Sequence, residues 1–291
     1  MSQQIKKIIA VIITYRPDLE LLYKNFQAMA SQVAQVILID NSDDSQHGQQ
    51  IQARFKDHPE LVYISNGGNQ GIAHALNRGV EYAERTGADW ILTMDQDSVL
   101  PENYVATLSE VITTGGDRVA SIGTPFQSGG RIFAETENGG EVQHLITSGN
   151  LINTEAVIKA GKFRDEFFID YVDIELSFRL RKLGYKLIET QKILFTHHLG
   201  EPVRRTLFGI PFTCTNHSAL RCYYMSRNRM VFFYENFLFD PKFVFRCFRD
   251  MIKEMIKIII AEDHKQAKLK AIFVGIKDGI LGHMGKYQGK F

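Results

Sequence analysis

The chain has 291 residues, of which 44% are hydrophobic and 23% charged, as is usual for a globular protein with one large domain and an appendage, or with two domains. Its net charge is only +1, yet residues 201–291 hold 16 Lys/Arg against 8 Asp/Glu, and this basic tail behind an acidic body favours an anionic partner. No uninterrupted apolar run reaches the roughly 18–20 residues of a membrane-spanning helix, which excludes an integral membrane protein and leaves a soluble or peripheral one.

The first half of the chain alternates between strand and helix patterns. Buried-strand runs occupy residues 8–14, 36–40, 61–64 and 88–95, and helical spacing follows Pro17 and covers residues 72–85. Continuous β-branched runs are typical of strands that are buried on both faces. The order βαβαβαβ therefore predicts an α/β fold with a Rossmann-like, mostly parallel sheet flanked by helices.

The second half begins with a helix over residues 101–114, a strand at 121–124 and a β excursion or flap to residue 141. A strand over 146–152 and helices from about 155 and 173 are expected next, the last ending at Gly184. Aromatic and basic residues then alternate from Tyr223 to Arg249. We place a domain boundary near 200, with a catalytic domain over 1–200 and a helical C-terminal region over 201–291.

The strand that ends near residue 95 is followed by an Asp-x-Asp pair, Asp95 and Asp97. Residues i and i+2 of a strand point to the same face, so both carboxylates could converge on one point. Two such carboxylates repel unless a cation lies between them, and hard oxygen ligands suit Mg²⁺ or Mn²⁺. A solvated turn that closes a buried strand is the alternative.

Polar residues also follow the first and second strands. Asp40 could accept a hydrogen bond from a ribose hydroxyl or from the N3–H of a pyrimidine, or it could belong to an Asx turn. Residues 14–17 could place backbone groups near a base, or could simply start a helix. The glycine loop at 66–71 opens a helix and suits a diphosphate. It matches neither the dinucleotide fingerprint nor the P-loop, which argues against a dehydrogenase or an ATPase.

Acidic residues cluster between 167 and 179. Asp173 lies near a helix start, so it is either a capping acid or a general base. Glu175 and Arg179 are four residues apart and could pair along that helix. Two histidines follow at 197 and 198, and because adjacent strand residues face opposite sides, only one of them can point at the Asp-x-Asp pair.

Taken together, these stretches resemble glycosyltransferase family 2 with a GT-A fold, and more closely its bacterial rhamnosyltransferase branch. Eight stretches in the same order carry the resemblance: VIITYRP (11–17), VILIDNS (36–42), NQGIAHALNRG (69–79), MDQD (94–97), SGN (148–150), FIDYVDIE (168–175), HHLG (197–200) and RCYYMSRN (221–228).

The resemblance implies a role for each matching position. Thr14, Tyr15 and Asp40 would hold the nucleotide. Asp95 and Asp97 would bind Mg²⁺ or Mn²⁺ against the donor diphosphate, His197 would add a metal or diphosphate contact, and Asp173 would be the catalytic base. Further substrate contacts are predicted at Arg16, Asn69, Gly71, Asn77, Gln96, Ser148, Gly149, Asn150, Asp170, Glu175 and Arg227.

One departure concerns the residue before the base. Many relatives have Glu there, whereas this chain has Val172, so Asp170 and Glu175 are candidates to share the role of Asp173. Arg227 and Asn228 resemble a branch hallmark to which we assign no chemistry.

The resemblance implies an inverting, metal-dependent transfer of L-rhamnose from dTDP-L-rhamnose to a saccharide acceptor of a surface polysaccharide such as O-antigen. The basic, aromatic tail fits an acceptor on a polyprenyl diphosphate lipid and peripheral membrane contact, with internal packing or a homodimer as the alternatives. Nucleic-acid binding is not expected, since no motif that recognises RNA or DNA accompanies the basic and aromatic residues.

Three alternatives stay open: a UDP-hexose donor, a metal-dependent nucleotidyltransferase, and a non-catalytic sugar-nucleotide-binding protein. The nucleotidyltransferase would be expected to carry a glycine- and lysine-rich loop after the first strand, where residues 14–17 are Thr-Tyr-Arg-Pro. Three cysteines without metal-type spacing, and no secretory pattern, predict a cytoplasmic protein, with the inner face of the cytoplasmic membrane as its peripheral location.

Overall fold

The computed structural model describes residues 6–116, 118–197, 203–207 and 210–291. They group into two compact units, the first from the described residues of 1–165 and 173–198, and the second from those of 166–172 and 199–291. Of the predicted motif at 197–200, only His197 is described.

The first unit is α/β. Its described strands are β1 (Ile8–Thr14), β2 (Gln35–Asp40), β3 (Leu61–Ser65), β4 (Trp90–Asp95), β5 (Val119–Gly123), β6 (Phe126–Ser128), β7 (Arg131–Phe133), β8 (Gly140–Glu141), β9 (Asn150–Asn153), β10 (Lys186–Glu189) and β11 (Phe195–Thr196). Its helices are α1 (Leu19–Ala30), α2 (Ser45–Arg54), α3 (Ile72–Thr86), α4 (Tyr104–Thr114), α5 (Thr154–Lys159) and α6 (Val172–Lys182). The predicted βαβαβαβ order over residues 8–95 is confirmed.

The main sheet has the strand order β3-β2-β1-β4-β9-β5-β10-β8. Strands β1 to β4 pair in parallel, as predicted, whereas β9 runs antiparallel to both β4 and β5. The apolar runs of β1 and β2 are almost completely buried because helices cover both faces of a parallel sheet. The carboxyl ends of β1, β2 and β4 therefore meet at one edge.

Local structure departs from the predicted boundaries at three places. Helix α2 is implied by the predicted βαβαβαβ order, but no residues were assigned to it, because its sequence is polar and only Gly48 and Ile51 are buried. Helix α4 begins at Tyr104 rather than near 101, since Asn103 is left-handed with φ 61°. The strand expected over 146–152 begins at Asn150, directly after Gly149 with its φ of 72°.

The second unit is mostly helical, as predicted. It comprises the hairpin β12 (Val203–Leu207) and β13 (Ile210–Cys214), which was not predicted, and the helices α7 (Ala219–Asn236), α8 (Pro241–Ala261) and α9 (Lys265–Leu281). Helices α7 and α9 approach so closely that a Cβ at Gly275 would overlap the carbonyl of Tyr223. Glycine permits this approach because it has no Cβ. None of the described helices combines the length and apolar character needed to cross a membrane.

Residues 166–172 were predicted within the first domain, but the structure groups them with the second unit. The side-chain amide of Asn228 donates to the carbonyl oxygens of Phe167, Ile169 and Asp170 at 2.8–2.9 Å. The guanidinium of Arg227 donates to the carbonyls of Glu166 and Phe167 at 2.9 and 3.0 Å. These bonds attach a sequence-distant segment to α7, a pairing that local patterns cannot reveal.

Candidate functional site

The Asp-x-Asp pair lies at the carboxyl end of β4, where Asp95 is the last strand residue. Two polar side chains fix the backbone there. Asn25 Nδ2 donates to the carbonyl of Asp95 at 2.8 Å, and Ser148 Oγ accepts from its amide at 3.3 Å. The carboxylates are thus presented from a rigid strand end, at the sheet edge where open α/β folds bind their ligands.

His197 completes a triad with these carboxylates. Asp95, Asp97 and His197 each offer a ligand atom within 4.8 Å of the others, and His197 Nε2 lies 3.7 Å from Asp95 Oδ2. Opposite ligands of one hard cation, each bonded at about 2.1 Å, stand roughly 4.2 Å apart. The two oxygens and one nitrogen therefore fit a divalent metal after a small contraction.

The orientation of His197 is fixed from its other side. Its Nδ1 lies 2.6 Å from Ser98 Oγ, and the imidazole is only 8% exposed. The rings of Phe126 and His197 pack in a T-shaped arrangement, with centroids 5.3 Å apart. A hydrogen bond at Nδ1 leaves Nε2 to face Asp95, as in metal sites where a second partner sets the histidine tautomer. Sequence reasoning missed Ser98, although it directly follows Asp97.

Asp40 is buried at the end of β2 with both carboxylate oxygens engaged. Oδ1 accepts from the amide of Ser42 at 2.9 Å and from Thr14 Oγ1 at 3.5 Å, while Oδ2 accepts from the hydroxyl of Tyr63 at 2.8 Å. Burial first, and then the Asp40 carboxylate, raise the pKa of Tyr63 to about 12. The predicted turn bond is present, and a nucleotide contact through Asp40 stays a prediction.

Tyr15 and Gln96 join the ends of β1 and β4. Gln96 Oε1 accepts from the amide of Tyr15 at 2.7 Å, and Gln96 Nε2 donates to its carbonyl at 3.3 Å. This pair places residues 14–16 beside the Asp-x-Asp turn. Tyr15 and Gln96 were both predicted to contact the substrate. The structure therefore brings predicted substrate-binding residues and predicted metal ligands to the same edge of the sheet.

Asp43 is a further residue of this edge, and sequence reasoning passed over it as part of a turn. Its carboxylate accepts from the Tyr15 hydroxyl and the Asn69 amide, both at 3.0 Å, and lies 3.8 Å from the Arg16 guanidinium. Burial and then Asp43 raise the pKa of Tyr15. A cleft of about 310 Å³ opens beside Asp43, lined also by Asp40 and Tyr63. The repeated aspartates in the 40–44 stretch were the sequence signal that could have identified Asp43 as a site residue.

The remaining predicted residues of the first unit support the loops around this edge. Asn69 Oδ1 accepts from the amide of Gly71 at 3.0 Å, and Gly71, with φ 91°, precedes α3. Asn77 bonds both the amide and the carbonyl of Phe163 at 2.8 Å. These contacts are internal, so substrate binding by Asn69, Gly71 and Asn77 remains a prediction.

The predicted Ser148-Gly149-Asn150 stretch runs alongside the end of β4. The amide of Gly149 donates to the carbonyl of Thr93 at 2.9 Å, and Asn150 Oδ1 accepts from Ser121 Oγ at 2.7 Å. A Cβ at Gly149 would lie 2.7 Å from the ring of Phe195. Only glycine therefore allows this close approach beside the strand that carries Asp95.

Asp173 occupies the first turn of α6, in the first unit, and is half-buried. Its Oδ1 accepts from the amide of Ile174 at 2.8 Å. The segment before it is strained, since Phe168, Asp170 and Tyr171 all have φ near 65°. Such strain in residues other than glycine persists only where surrounding contacts enforce it, and it concentrates at functional sites.

Three other predicted site residues are engaged in ion pairs or buried hydrogen bonds. Glu175 is 2% exposed and forms a two-point pair with Arg179 at 2.6 and 2.7 Å, which is the helix pairing considered above. In the second unit, Asp170 pairs with Arg221 at 3.0 Å, and Arg227 is fully buried against backbone carbonyls. Their predicted contacts with a substrate gain no support from these geometries.

Comparisons with known proteins identify the family of the chain and match its fold. Residues 9–158 match the model of the family described as "Glycosyl transferase family 2". The dTDP-rhamnosyl transferase RfbF of Shigella flexneri is 27% identical over 96% of this chain and 97% of its own length. The low-salt glycan biosynthesis hexosyltransferase Agl10 of Haloferax volcanii is 24% identical over 68% of each chain.

Two solved structures share the fold. Staphylococcus aureus TarS has a TM-score of 0.61 at 13% identity, covering 93% of this chain and 49% of its own. GalNAc-T7, solved with UDP, GalNAc and Mn²⁺, has a TM-score of 0.59 at 14% identity, covering 78% and 48%. This chain spans about half the length of each. At such identities the likeness shows the fold alone, which is GT-A.

Proposed function

In a chain that belongs to glycosyl transferase family 2, and is therefore a glycosyltransferase, we propose that the edge carrying Asp95, Asp97 and His197 binds the diphosphate of a nucleotide sugar through Mg²⁺ or Mn²⁺. The observation that carries this proposal is the convergence of the three ligand atoms within 4.8 Å. When bound there, a divalent cation supplies positive charge against the departing diphosphate.

The proposed donor is dTDP-L-rhamnose. The 27% identity to a dTDP-rhamnosyl transferase over nearly the whole of both chains supports this donor. A nucleotide at this edge would lie between the end of β1 and the cleft beside Asp40, Asp43 and Tyr63. A UDP-hexose donor is the second candidate, because the archaeal relative is a hexosyltransferase. Family membership decides against the nucleotidyltransferase and the non-catalytic alternatives.

The proposed reaction is a single displacement with inversion. The acceptor hydroxyl oxygen bonds to the anomeric carbon while the bond from that carbon to the diphosphate oxygen breaks. The hydroxyl proton passes to the carboxylate of Asp173, and the electron pair of the broken bond leaves with the diphosphate. General-base assistance of this kind contributes about 10²–10⁴-fold to the rate.

The proposed acceptor is a saccharide on a polyprenyl diphosphate lipid, in surface polysaccharide synthesis. The excess of bases over residues 201–291 supports an anionic partner of this kind. The lysines and arginines of this region would attract the diphosphate of the acceptor, and the polyprenyl lipid would keep the reaction at a membrane surface.

A thermal-shift panel tests the donor and the metal together. The full chain is heated with Mn²⁺ and dTDP-L-rhamnose, UDP-glucose, UDP-galactose or GDP-mannose, each with and without EDTA. A ligand that binds the folded state stabilises it by RT ln(1 + [L]/Kd), about 2.7 kcal/mol at 100 Kd. We expect an EDTA-sensitive rise in Tm with dTDP-L-rhamnose alone. A rise confined to a UDP-hexose would replace the donor, and no rise with any of them would overturn the proposal.

A further inference from the structure

The second unit carries a dense exposed apolar surface on α8 and on the turn before it. Of the nineteen strongly exposed large apolar side chains in the described residues, ten lie between Tyr234 and Ile260. We call eight of them the α8 face, and these are Phe237, Leu238, Phe239, Phe245, Phe248, Ile252, Ile256 and Ile259. Monomeric proteins rarely expose so many contiguous apolar side chains without a partner.

The exposed residues of α8 form one stripe. The spacing from Phe245 through Phe248, Ile252 and Ile256 to Ile259 is three, four, four and three residues, which keeps them on one side of a helix. The helix is fixed to its unit by another side, where Phe243, Val244, Met251 and Ile258 are buried. The stripe is therefore an exposed side of a helix whose other side already packs within the second unit.

The turn between α7 and α8 extends this stripe. The rings of Phe237 and Phe245 lie 5.7 Å apart, and those of Phe233 and Phe248 lie 6.3 Å apart. Leu238, at the tip of the turn, is 94% exposed. The aromatic contacts join the turn and the helix into one continuous apolar surface.

Basic residues border one side of the stripe. At 100° per residue, Lys242, Arg246, Arg249, Lys253 and Lys257 follow one another around the helix next to the stripe. The helix has two acids, Asp250 and Glu254. Asp250 pairs with Arg249 at 3.1 Å and Lys253 at 3.4 Å, and Glu254 pairs with the largely buried Arg229 at 2.9 Å. The helix thus keeps a net positive charge beside its exposed apolar side.

We propose that the α8 face docks this chain on an anionic membrane surface, with the stripe in the headgroup region and the bases against lipid phosphates. An apolar stripe bordered by Lys and Arg is the arrangement of helices that lie in the membrane interface. A second copy of the chain would present the same positive border and so offers no complementary charge. The purpose of this docking, access to a lipid-borne acceptor, rests on the proposed function.

Vesicle flotation tests the proposal with the full chain. The vesicles are phosphatidylcholine alone, or phosphatidylcholine and phosphatidylglycerol in equal parts. We expect binding to the anionic vesicles that weakens with added salt, because salt screens the lipid charge. The double variant Ile252→Ser with Ile256→Ser should lose at least ten-fold in partitioning. Lys242→Gln with Lys253→Gln should lose about five-fold for each base removed.

A matched control lies on the next helix. Ile280 and Leu281 of α9 are 71% and 56% exposed and lie outside the α8 face. Ile280→Ser with Leu281→Ser removes two apolar side chains that are more exposed than Ile252 and Ile256, and we expect it to bind vesicles like the unchanged chain. Circular dichroism and Tm confirm that each variant folds, and because the substituted side chains are exposed or basic, folding should survive.

Three results would overturn the proposal. One is equal vesicle binding by the stripe variant and the control, and another is equal binding to neutral and anionic vesicles. The third is a concentration-dependent dimer, seen by analytical ultracentrifugation, that Ile252→Ser with Ile256→Ser dissociates while no vesicles are bound, which would make the α8 face a dimer interface. Flotation needs neither donor nor acceptor, so its failure is distinct from failure of the proposed transferase reaction.

Discussion

The hydroxyl of Ser98 lies 2.6 Å from Nδ1 of His197, across 99 residues of sequence. The two side chains meet because an isolated bridge pairs Val99 with Thr196 in antiparallel fashion, which sets the neighbouring residues side by side. The bond orients the imidazole so that Nε2 faces Asp95. Ser98 is thereby a positioning residue for the proposed metal site.

Replacing Ser98 by alanine should weaken metal binding while leaving all three ligands in place. Loss of a partner that orients a ligating histidine lowers metal affinity about 10–100-fold. Titration of the full chain with Mn²⁺, followed by calorimetry, measures the change. Ser109→Ala is a matched control, since Ser109 Oγ donates only to the carbonyl of Val105 within its own helix at 2.7 Å. An unchanged Mn²⁺ affinity in Ser98→Ala would remove its positioning role.

Removing the Asp97 carboxylate should abolish the metal-dependent part of donor binding. Asp97→Ala takes away one of the three convergent ligands, so the Kd for the nucleotide sugar measured with Mn²⁺ should approach the value measured with EDTA. Asp57→Ala, which removes an exposed acid before β3, should leave both values unchanged. Equal Mn²⁺-dependent affinity in Asp97→Ala and the unchanged chain would contradict its role as a ligand.

Asp173→Asn should separate donor binding from transfer. The amide cannot take the acceptor proton, so kcat should fall about 10²–10⁴-fold while the Kd of the donor stays within a factor of two or three of its original value. Product formation by chromatography and donor binding by calorimetry measure the two quantities. Undiminished turnover in Asp173→Asn would end the assignment of this residue as the base.

Breaking the Glu175–Arg179 pair should reduce stability more than catalysis. Arg179→Met removes the two-point partner of the buried Glu175 carboxylate and leaves the longer contact with Arg164 at 3.8 Å. Removing one partner of a buried ion pair costs about 3–5 kcal/mol of the free energy of unfolding, and the contact with Arg164 should place the loss at the lower end of that range. Urea denaturation provides the measurement. Lys159→Met breaks the exposed pair with Glu155 at the same four-residue spacing and should have a much smaller effect, because solvent screens it.

The same pair tests the predicted substrate role of Glu175. If Glu175→Gln raises KM for the donor or acceptor without lowering the free energy of unfolding, the contact with Arg179 is secondary and the substrate role stands. The buried geometry leads us to expect the opposite, namely lower stability with little change in KM.

Alkaline pH should lower the free energy of unfolding through Tyr63, whose hydroxyl is bonded to Asp40. The pKa of Tyr63 is raised to about 12 in the folded chain, whereas an unfolded tyrosine titrates near 10. Between these values the unfolded chain loses the phenolic proton and the folded chain keeps it, so the free energy of unfolding falls as pH rises from 10 to 12. Tyr63→Phe should make that fall shallower, measured by urea denaturation at each pH. A parallel decline in both chains would show that Tyr63 titrates normally.

The sequence predicted the parallel half of the sheet, because continuous apolar runs such as β1 and β2 are a local property of strands buried on both faces. It also placed Asp95 and Asp97 at a strand end. It did not locate the residues of α2 within the predicted βαβαβαβ order, since a polar helix with two buried residues has little periodic signal. The reversed strand β9 was equally hidden, because direction within a sheet depends on the path of the chain.

What the sequence determined by itself is the identity of the family and the residue types for a cation and a diphosphate, because those types follow from motifs read along the chain. The tertiary structure alone decided that His197 faces Asp95 and that Ser98 orients it. It also decided that Arg227 is occupied by backbone carbonyls of the sequence-distant segment at Glu166 and Phe167. Each outcome depends on which distant segments meet, and burial and hydrogen-bond satisfaction across the whole fold determine those meetings.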